Sequence, residues 1–318
     1  MTGDAKALER IAASVRANPA VAAKGSIGLV SEVLPPGDWL GAPGDDGAAL
    51  PLGGTIVIAC GEAIYPPFVA QDPYGAGVAA VLANVNDVAA MGGEPVAIVD
   101  TVVAPPEHAR RMLEGMRWAA DVYRVPIVGG HYTPSEGPMS LSAFAVGRAD
   151  AVLSVTHARA GQDLVVAACV DGTMREDFPF FRSFDERSSH LADDVRLLAR
   201  VARDGLAQAA KDISMAGLVG SLAMLLECAD LGAEVDIRKV PAPQGVALEQ
   251  WFNCFPCFGF LLTCEAHTTD ACVEVFRQQG LAAARVGHLD ASGVVRLRDG
   301  DVVVTTLDAA GVTRLRRP

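Results

Sequence analysis

Gly44-Asp45-Asp46-Gly47-Ala48-Ala49-Leu50, followed by the apolar run Thr55-Ile56-Val57-Ile58-Ala59-Cys60, sets two adjacent carboxylates at the mouth of a β-strand. Neighbouring acids repel and are costly to pack, and the flanking glycines let the chain turn without steric penalty. A divalent cation removes the repulsion, and Mg²⁺ is commonly held by one or two carboxylates together with substrate phosphates. The loop reads as a metal-holding element for a phosphorylated ligand. A plain solvated Asp-Asp turn is the alternative.

Working outward from that loop, the residues from 55 to about 150 alternate in period. Strands are expected at 55–60, 95–103, 126–128 and 139–147, and a helix at 107–123. Another helix is expected at 74–91, where Val78, Leu82, Val85 and Ala89 recur at helical spacing. The alternation then repeats, with strands at 164–170, 233–237 and 260–264 and helices at 190–208, 217–229 and 269–279. A hairpin at 294–298 and 302–306 turns through Asp299-Gly300, a pair suited to the primed turns. Ahead of the loop, 5–15 suits a short helix, 22–28 is small and loop-like, and Pro35-Pro36-Gly37 breaks the chain. The expected class is α/β (α+β), with two domains at 1–150 and 151–318.

The chain has 318 residues, 51% hydrophobic and 20% charged, with a net charge of -12. That length matches two domains at about 100–200 residues each. The acidic balance argues against DNA, RNA or an anionic membrane as partner, because a phosphate backbone demands cationic contacts. A protein of this charge that binds ATP needs local positive charge, most simply Mg²⁺ and backbone N–H groups. The start lacks the basic and apolar parts of a secretory signal, and no apolar run is long enough to span a bilayer. The seven cysteines are odd in number and scattered. A cytoplasmic setting with reduced, buried thiols is therefore expected.

Four polar stations interrupt the apolar elements, and the acidic loop is the first. Asn84 and Asp87 stand three apart on one face of the 74–91 helix. Their surroundings, Ala83-Asn84-Val85-Asn86-Asp87-Val88-Ala89-Ala90-Met91-Gly92-Gly93, carry no Lys or Glu. That favours a covered or ligand-facing site over a solvated face. Val128-Gly129-Gly130-His131-Tyr132-Thr133 places glycines directly after a β run, where backbone can approach a ligand. His131 there is a phosphate donor, a metal ligand or an ordinary loop histidine. The fourth station is Lys211-Asp212-Ile213-Ser214-Met215-Ala216-Gly217-Leu218. Ser214 is a fair N-cap for the helix that follows, a helix N-terminus suits an anion, and Asp212 beside it suits a cation.

In this order the stations resemble the ATP-binding superfamily of aminoimidazole ribonucleotide (AIR) synthetase (PurM), thiamine-monophosphate kinase, selenophosphate synthetase and a hydrogenase maturation factor. The acidic loop resembles the family's Gly-Asp-Asp-Ala-Ala. Asn84 to Pro95 resembles its Asn-x-(Ser/Asn)-Asp-x-x-Ala-Met-Gly-Ala-x-Pro helix, the most specific match. Gly129-Gly130-His131 is similar to Gly-Gly-Asp-Thr of the kinase and closer to Gly-Gly-His of the selenium enzyme. Asp212 to Leu218 looks like Asp-Ile-Ser-Asp-Gly-Leu, 232–237 like the strand that follows, and Pro256 to Leu262 like Pro-Gln-Thr-Ser-Gly-Gly-Leu-Leu. The resemblance implies a two-domain PurM-like fold, an N-terminal domain that dimerises and binds ATP with several Mg²⁺ ions in a cleft, and a homodimer acting on a small molecule. It implies Asp45, Asp46, Asp87 and Asp212 as Mg²⁺ ligands, and Asp212 and His131 as the catalytic pair. Gly44, Asn84, Gly129, Gly130 and Thr133 would lie against ATP, with Asn84 bonding phosphate.

The chain also departs from the pattern. Ala59-Cys60-Gly61-Glu62 stands where the kinase has Thr-Asp, and Met215 where it has a second Asp. The selenium enzyme's catalytic Cys loop is absent, and Lys24 is a poor match to that loop's lysine. The expected activity is Mg²⁺-dependent, ATP-driven phosphorylation or activation of a small molecule, with the acceptor open. The alternatives are a nucleotide-binding paralogue without turnover and a thiol or zinc protein built on Cys254-Phe255-Pro256-Cys257. The basic tail Arg314-Leu315-Arg316-Arg317 is too short for a nucleic-acid patch.

Overall fold

The computed structural model describes residues 3–34 and 40–315. Pro35-Pro36-Gly37 and the end of the basic tail, Arg316-Arg317, lie outside the described residues. Two mixed sheets organise the chain. The first comprises β1 (Ala48–Leu52), β2 (Thr55–Ala63), β3 (Glu94–Ala104), β4 (Ile127–Pro134) and β5 (Ser140–Ala149), in the order β1-β2-β5-β3-β4. Only the β3–β4 pair is parallel. The crossover that a parallel pair requires is α6 (Pro106–Tyr123).

The second sheet has the order β15-β14-β10-β13-β6-β12-β9. Its strands are β6 (Asp163–Ala168), β9 (Ala209–Asp212), β10 (Gly232–Asp236), β12 (Gly259–Cys264), β13 (Ala282–Asp290), β14 (Val294–Asp299) and β15 (Val302–Asp308). A small third sheet joins β7 (Thr173–Met174), β8 (Phe180–Arg182) and β11 (Phe255–Pro256). The expected 294–298/302–306 hairpin is β14–β15.

Helix α5 (Pro73–Ala90) is the axis of the molecule. Pro73 opens it, and the Asp72 carboxylate caps it by accepting from the Gly75 N–H at 2.8 Å. It is enclosed nearly all round, by α6, by β2 and β5, and by α8 (Leu191–Arg203) and β9. The sequence suggested an apolar stripe opposite a polar face. Total enclosure is what an apolar, small-residue helix can tolerate instead. Gly77 and Gly115 make the α5–α6 crossing possible: a Cβ on Gly77 would lie 2.0 Å from the Met112 carbonyl oxygen, and one on Gly115 2.1 Å from that of Tyr74.

One apolar core runs from α5 and α6 across to α8, β6 and β12, so the two halves share a core. A second core lies on the other face of the second sheet, under α9 (Gly217–Glu227). Helix α1 (Ala5–Arg16) buries Leu8, Ile11, Ala12 and Val15 there, against β14 and β15.

Several expectations are corrected. Residues 19–33 form α2 (Pro19–Lys24), a 3₁₀ turn and α3 (Gly28–Val33), where a loop was expected at 22–28. Helix α8 stops at Arg203, and Ala209–Asp212 is a strand. β13 had no forerunner in the sequence, because Ala282-Ala283-Ala284 has weak strand preference. Pairing on both sides, with β10 and β6, overrides that preference. β4 continues through Gly129, Gly130 and His131 to Pro134, since those residues pair in register with Val99, Asp100 and Thr101 of β3. Ser214 does not cap α9, whose N-cap is Ala216 with no side-chain bond.

Candidate functional site

The acid loop, the end of α5 and the end of β9 meet. Asp46, Asp87 and Asp212 each offer a carboxylate oxygen, and these atoms lie within 4.8 Å of one another. Among the described residues no other group of three His, Cys, Asp or Glu side chains meets in this way. Asp87 is 6% exposed and Asp212 4%. The main-chain N–H of Asp212 donates to Asp46 Oδ2 at 3.0 Å. Lys211 is 2% exposed. Its Nζ bonds Asp46 Oδ1 and reaches the Gly44 carbonyl oxygen at 3.3 Å.

Burial dominates the electrostatics. It raises the pKa of Asp87 well above the usual carboxylate range, and the charges of Glu62, Asp212 and Asp46 push further the same way. Asp212 is pushed up to about 8, first by burial and then by Asp46. Burial works against the Lys211 ammonium, but Asp46, Asp212 and Asp87 outweigh it and raise its pKa. Three buried acids that resist joint ionisation, all hard oxygen donors, fit a divalent cation such as Mg²⁺.

The other expected site residues divide. Gly44 is at the cluster through its carbonyl. Asp45 is not in the cluster. Its carboxylate accepts from the Val155 N–H (2.7 Å), the Ser154 hydroxyl (2.8 Å) and the Ala42 N–H (3.1 Å), so it staples the loop to the start of the C-terminal half. Asn84 is fully buried, and its amide donates to the Ala80 and Ala143 carbonyls at 2.9 and 3.1 Å. The N–H groups expected to meet phosphate thus tie α5 to β5. Gly129, Gly130, His131 and Thr133 lie exposed on β4, the edge opposite β1. At about 4.8 Å per strand, roughly 19 Å of sheet separates those edges. Within one chain, therefore, the Gly-Gly-His segment lies across the sheet from the strand that follows Asp46.

Two lysines were missed or undervalued. Lys24 ends α2, and its charge acts on Glu62 and Asp212. The signal for Lys211 was a lysine placed directly before an aspartate in an otherwise apolar segment. The Cys60 thiol donates to the Asn84 main-chain and side-chain oxygens at 3.5 Å. Burial and then Asp87 raise its pKa, so it remains a neutral thiol. Cys254 and Cys257 sit in different cores. The first donates to the Trp251 carbonyl, the second contacts the Tyr123 hydroxyl, and burial pushes each up to about 12. They form neither a dithiol nor a zinc pair.

A cavity of about 490 Å³ lies along the first half of α5, lined by Phe68, Tyr74, Trp118, Phe178, Phe180 and Phe184 among others. Phe68 and Phe178 stack at 4.6 Å, and the Arg175 guanidinium lies 5.5 Å from the Phe68 ring centre. Asp87 stands five residues beyond Leu82, the last α5 residue lining this cavity, about 7.5 Å along the helix.

The profile of the AIR synthase related protein N-terminal domain matches residues 44–149, and that of the C-terminal domain matches 177–300. An uncharacterized protein of Synechocystis sp. is 32% identical over 262 residues, 81% of each chain. The structure of T. maritima PurL complexed with ADP superposes with a TM-score of 0.75 at 19% identity, covering 90% of this chain and 48% of that one. This chain therefore spans about half the length of PurL. AaThiL complexed with AMPPCP and TMP superposes with a TM-score of 0.66 at 18% identity, covering 88% and 95%. At such identities the two structures establish the shared fold. Among the described residues no helix is long and apolar enough to cross a membrane.

Proposed function

The chain belongs to the AIR synthase-related family, and on that premise we propose that it uses ATP with Mg²⁺ to phosphorylate or phosphate-activate a small molecule. The observation that carries this reading is the convergence of Asp46, Asp87 and Asp212 from three distant parts of the chain. The family includes thiamine-monophosphate kinase and selenide, water dikinase among its relatives, which supports phosphoryl transfer. Bound Mg²⁺ would neutralise charge on the transferred group, and such reactions need positioning and charge neutralisation more than a protein nucleophile. Asp46, Asp87 and Asp212 would hold it. Lys211 fixes Asp46, and Asp45 fixes the loop that presents Asp46. The aromatic cavity would take the organic part of a ligand.

The outer face of the first sheet supports a homodimer. Leu50, Val96, Val99, Phe144 and Val146 are all exposed on that sheet. β5 alternates between buried residues and exposed or half-buried ones, so one face is covered by the protein and the other is left open. Two copies stacked face to face, about a two-fold axis parallel to the strands, set β4 of one over β1 of the other. Gly129, Gly130, His131 and Thr133 would then lie over the partner's β1, the strand that follows its Asp46.

The test is Mg²⁺-dependent binding of a non-hydrolysable ATP analogue, measured by calorimetry. Asp87→Asn should weaken it 100-fold or more, and unchanged affinity contradicts the reading. ADP release over a metabolite panel separates turnover from a silent paralogue, the alternative favoured by Cys60 and Met215. Phe144→Asp should give a monomer by light scattering if the sheet face is the dimer contact.

A further inference from the structure

The ligands of the Lys211 ammonium are those of a metal ion. Its Nζ contacts a carboxylate oxygen, Asp46 Oδ1, and a backbone carbonyl oxygen, that of Gly44. Both are the hard oxygen donors that Mg²⁺ and Ca²⁺ take. Lysines ordinarily run their stems along the surface and put the charge in water. This one is 2% exposed and turned inward. Resting on the reading that Asp46, Asp87 and Asp212 hold a divalent cation, we propose that the Lys211 ammonium takes the place of a second one, so that the site binds a single ion per chain.

Two-metal sites hold their ions about 3.5–4 Å apart, and the Nζ already occupies the space beside Asp46 Oδ1. Asp46 Oδ2, which accepts from the Asp212 N–H, keeps a lone pair for the single ion. The lysine therefore both fixes the orientation of Asp46 and excludes a neighbour ion.

The experiment counts Mn²⁺ on the full-length protein by equilibrium titration, with electron paramagnetic resonance of the bound ion. The wild type should bind one tight Mn²⁺ per chain with the six-line spectrum of an isolated ion. Lys211→Met should bind two, with an exchange-coupled spectrum, and Lys211→Arg should return to one. Two coupled Mn²⁺ ions in the wild type overturn the proposal, whether or not the Met variant folds. So does a folded Lys211→Met that holds one ion, which leaves the aspartate site itself standing. Absence of tight Mn²⁺ from all three proteins overturns both the lysine role and the site.

Discussion

Asp87→Asn should act on stability and on metal response with opposite signs. The carboxylates of Asp46, Asp87 and Asp212 lie within 4.8 Å of one another. At an effective dielectric constant of 20, two like charges at that distance repel by about 3.5 kcal/mol. Asp87 feels the charge of Glu62 as well as those of Asp212 and Asp46, and Lys211 offsets part of this. Part of the remainder is already relieved by the raised pKa, so the metal-free variant should gain about 1–3 kcal/mol. For a chain of this size that is roughly 2 °C in Tm per kcal/mol, or about 2–6 °C. The wild type should be stabilised by Mg²⁺, by about 2.7 kcal/mol at a concentration 100 times Kd. The variant, lacking one of three ligands, should show no such shift. The assay is calorimetric or fluorescence-detected melting, with EDTA and then with Mg²⁺. A variant that melts several degrees lower in EDTA yet keeps the full Mg²⁺ shift refutes the reasoning.

Asp212 makes stability depend on pH. Its folded-state pKa of about 8 lies above the ordinary 3.8. The native state thus keeps a proton that the unfolded chain releases. Its contribution is complete below about pH 4 and is lost as pH rises toward 8, by at most about 1.4 kcal/mol per unit. Denaturant titrations of metal-free wild type and Asp212→Asn should diverge over that window, and saturating Mg²⁺ should flatten the wild-type curve. Asp45→Ala should cost about 2–4 kcal/mol, because the Val155 N–H loses its partner. The number of tight Mn²⁺ ions should not change, and a lost ion would return Asp45 to the ligand set. Gly77→Ala should cost about 3 kcal/mol or more, read from melting, since its Cβ would meet the Met112 carbonyl oxygen rather than a side chain that can turn away.

The sequence made the local relationships readable. Helical spacing placed Asn84 and Asp87 on α5, and the lack of Lys and Glu around them announced that they are covered. Asp46, Asp87 and Asp212, which converge in the fold, stand out in the sequence because each interrupts an apolar element at a loop or helix end. What remained hidden depends on contacts distant in sequence. Asp45 and Asp46 look equivalent as neighbours, but successive side chains diverge, and Ser154 and Val155 lie on the side that receives Asp45. Asn84 kept its place but not its role, because a carbonyl of β5 claims its amide. His131 lies on the edge strand opposite β1, a strand order that periodicity does not encode. Lys211 looked like an ordinary charge beside a helix start. Only the arrival of the Gly44 loop, across more than 160 residues of chain, turns it into a buried counter-ion.

The most direct measurement is the anomalous scattering of Mn²⁺ in crystals grown with a non-hydrolysable ATP analogue. The account predicts a peak about 2.1 Å from carboxylate oxygens of Asp46, Asp87 and Asp212, with the terminal phosphate completing its shell. A peak at other residues, or nucleotide bound with these three carboxylates left without metal, would contradict it.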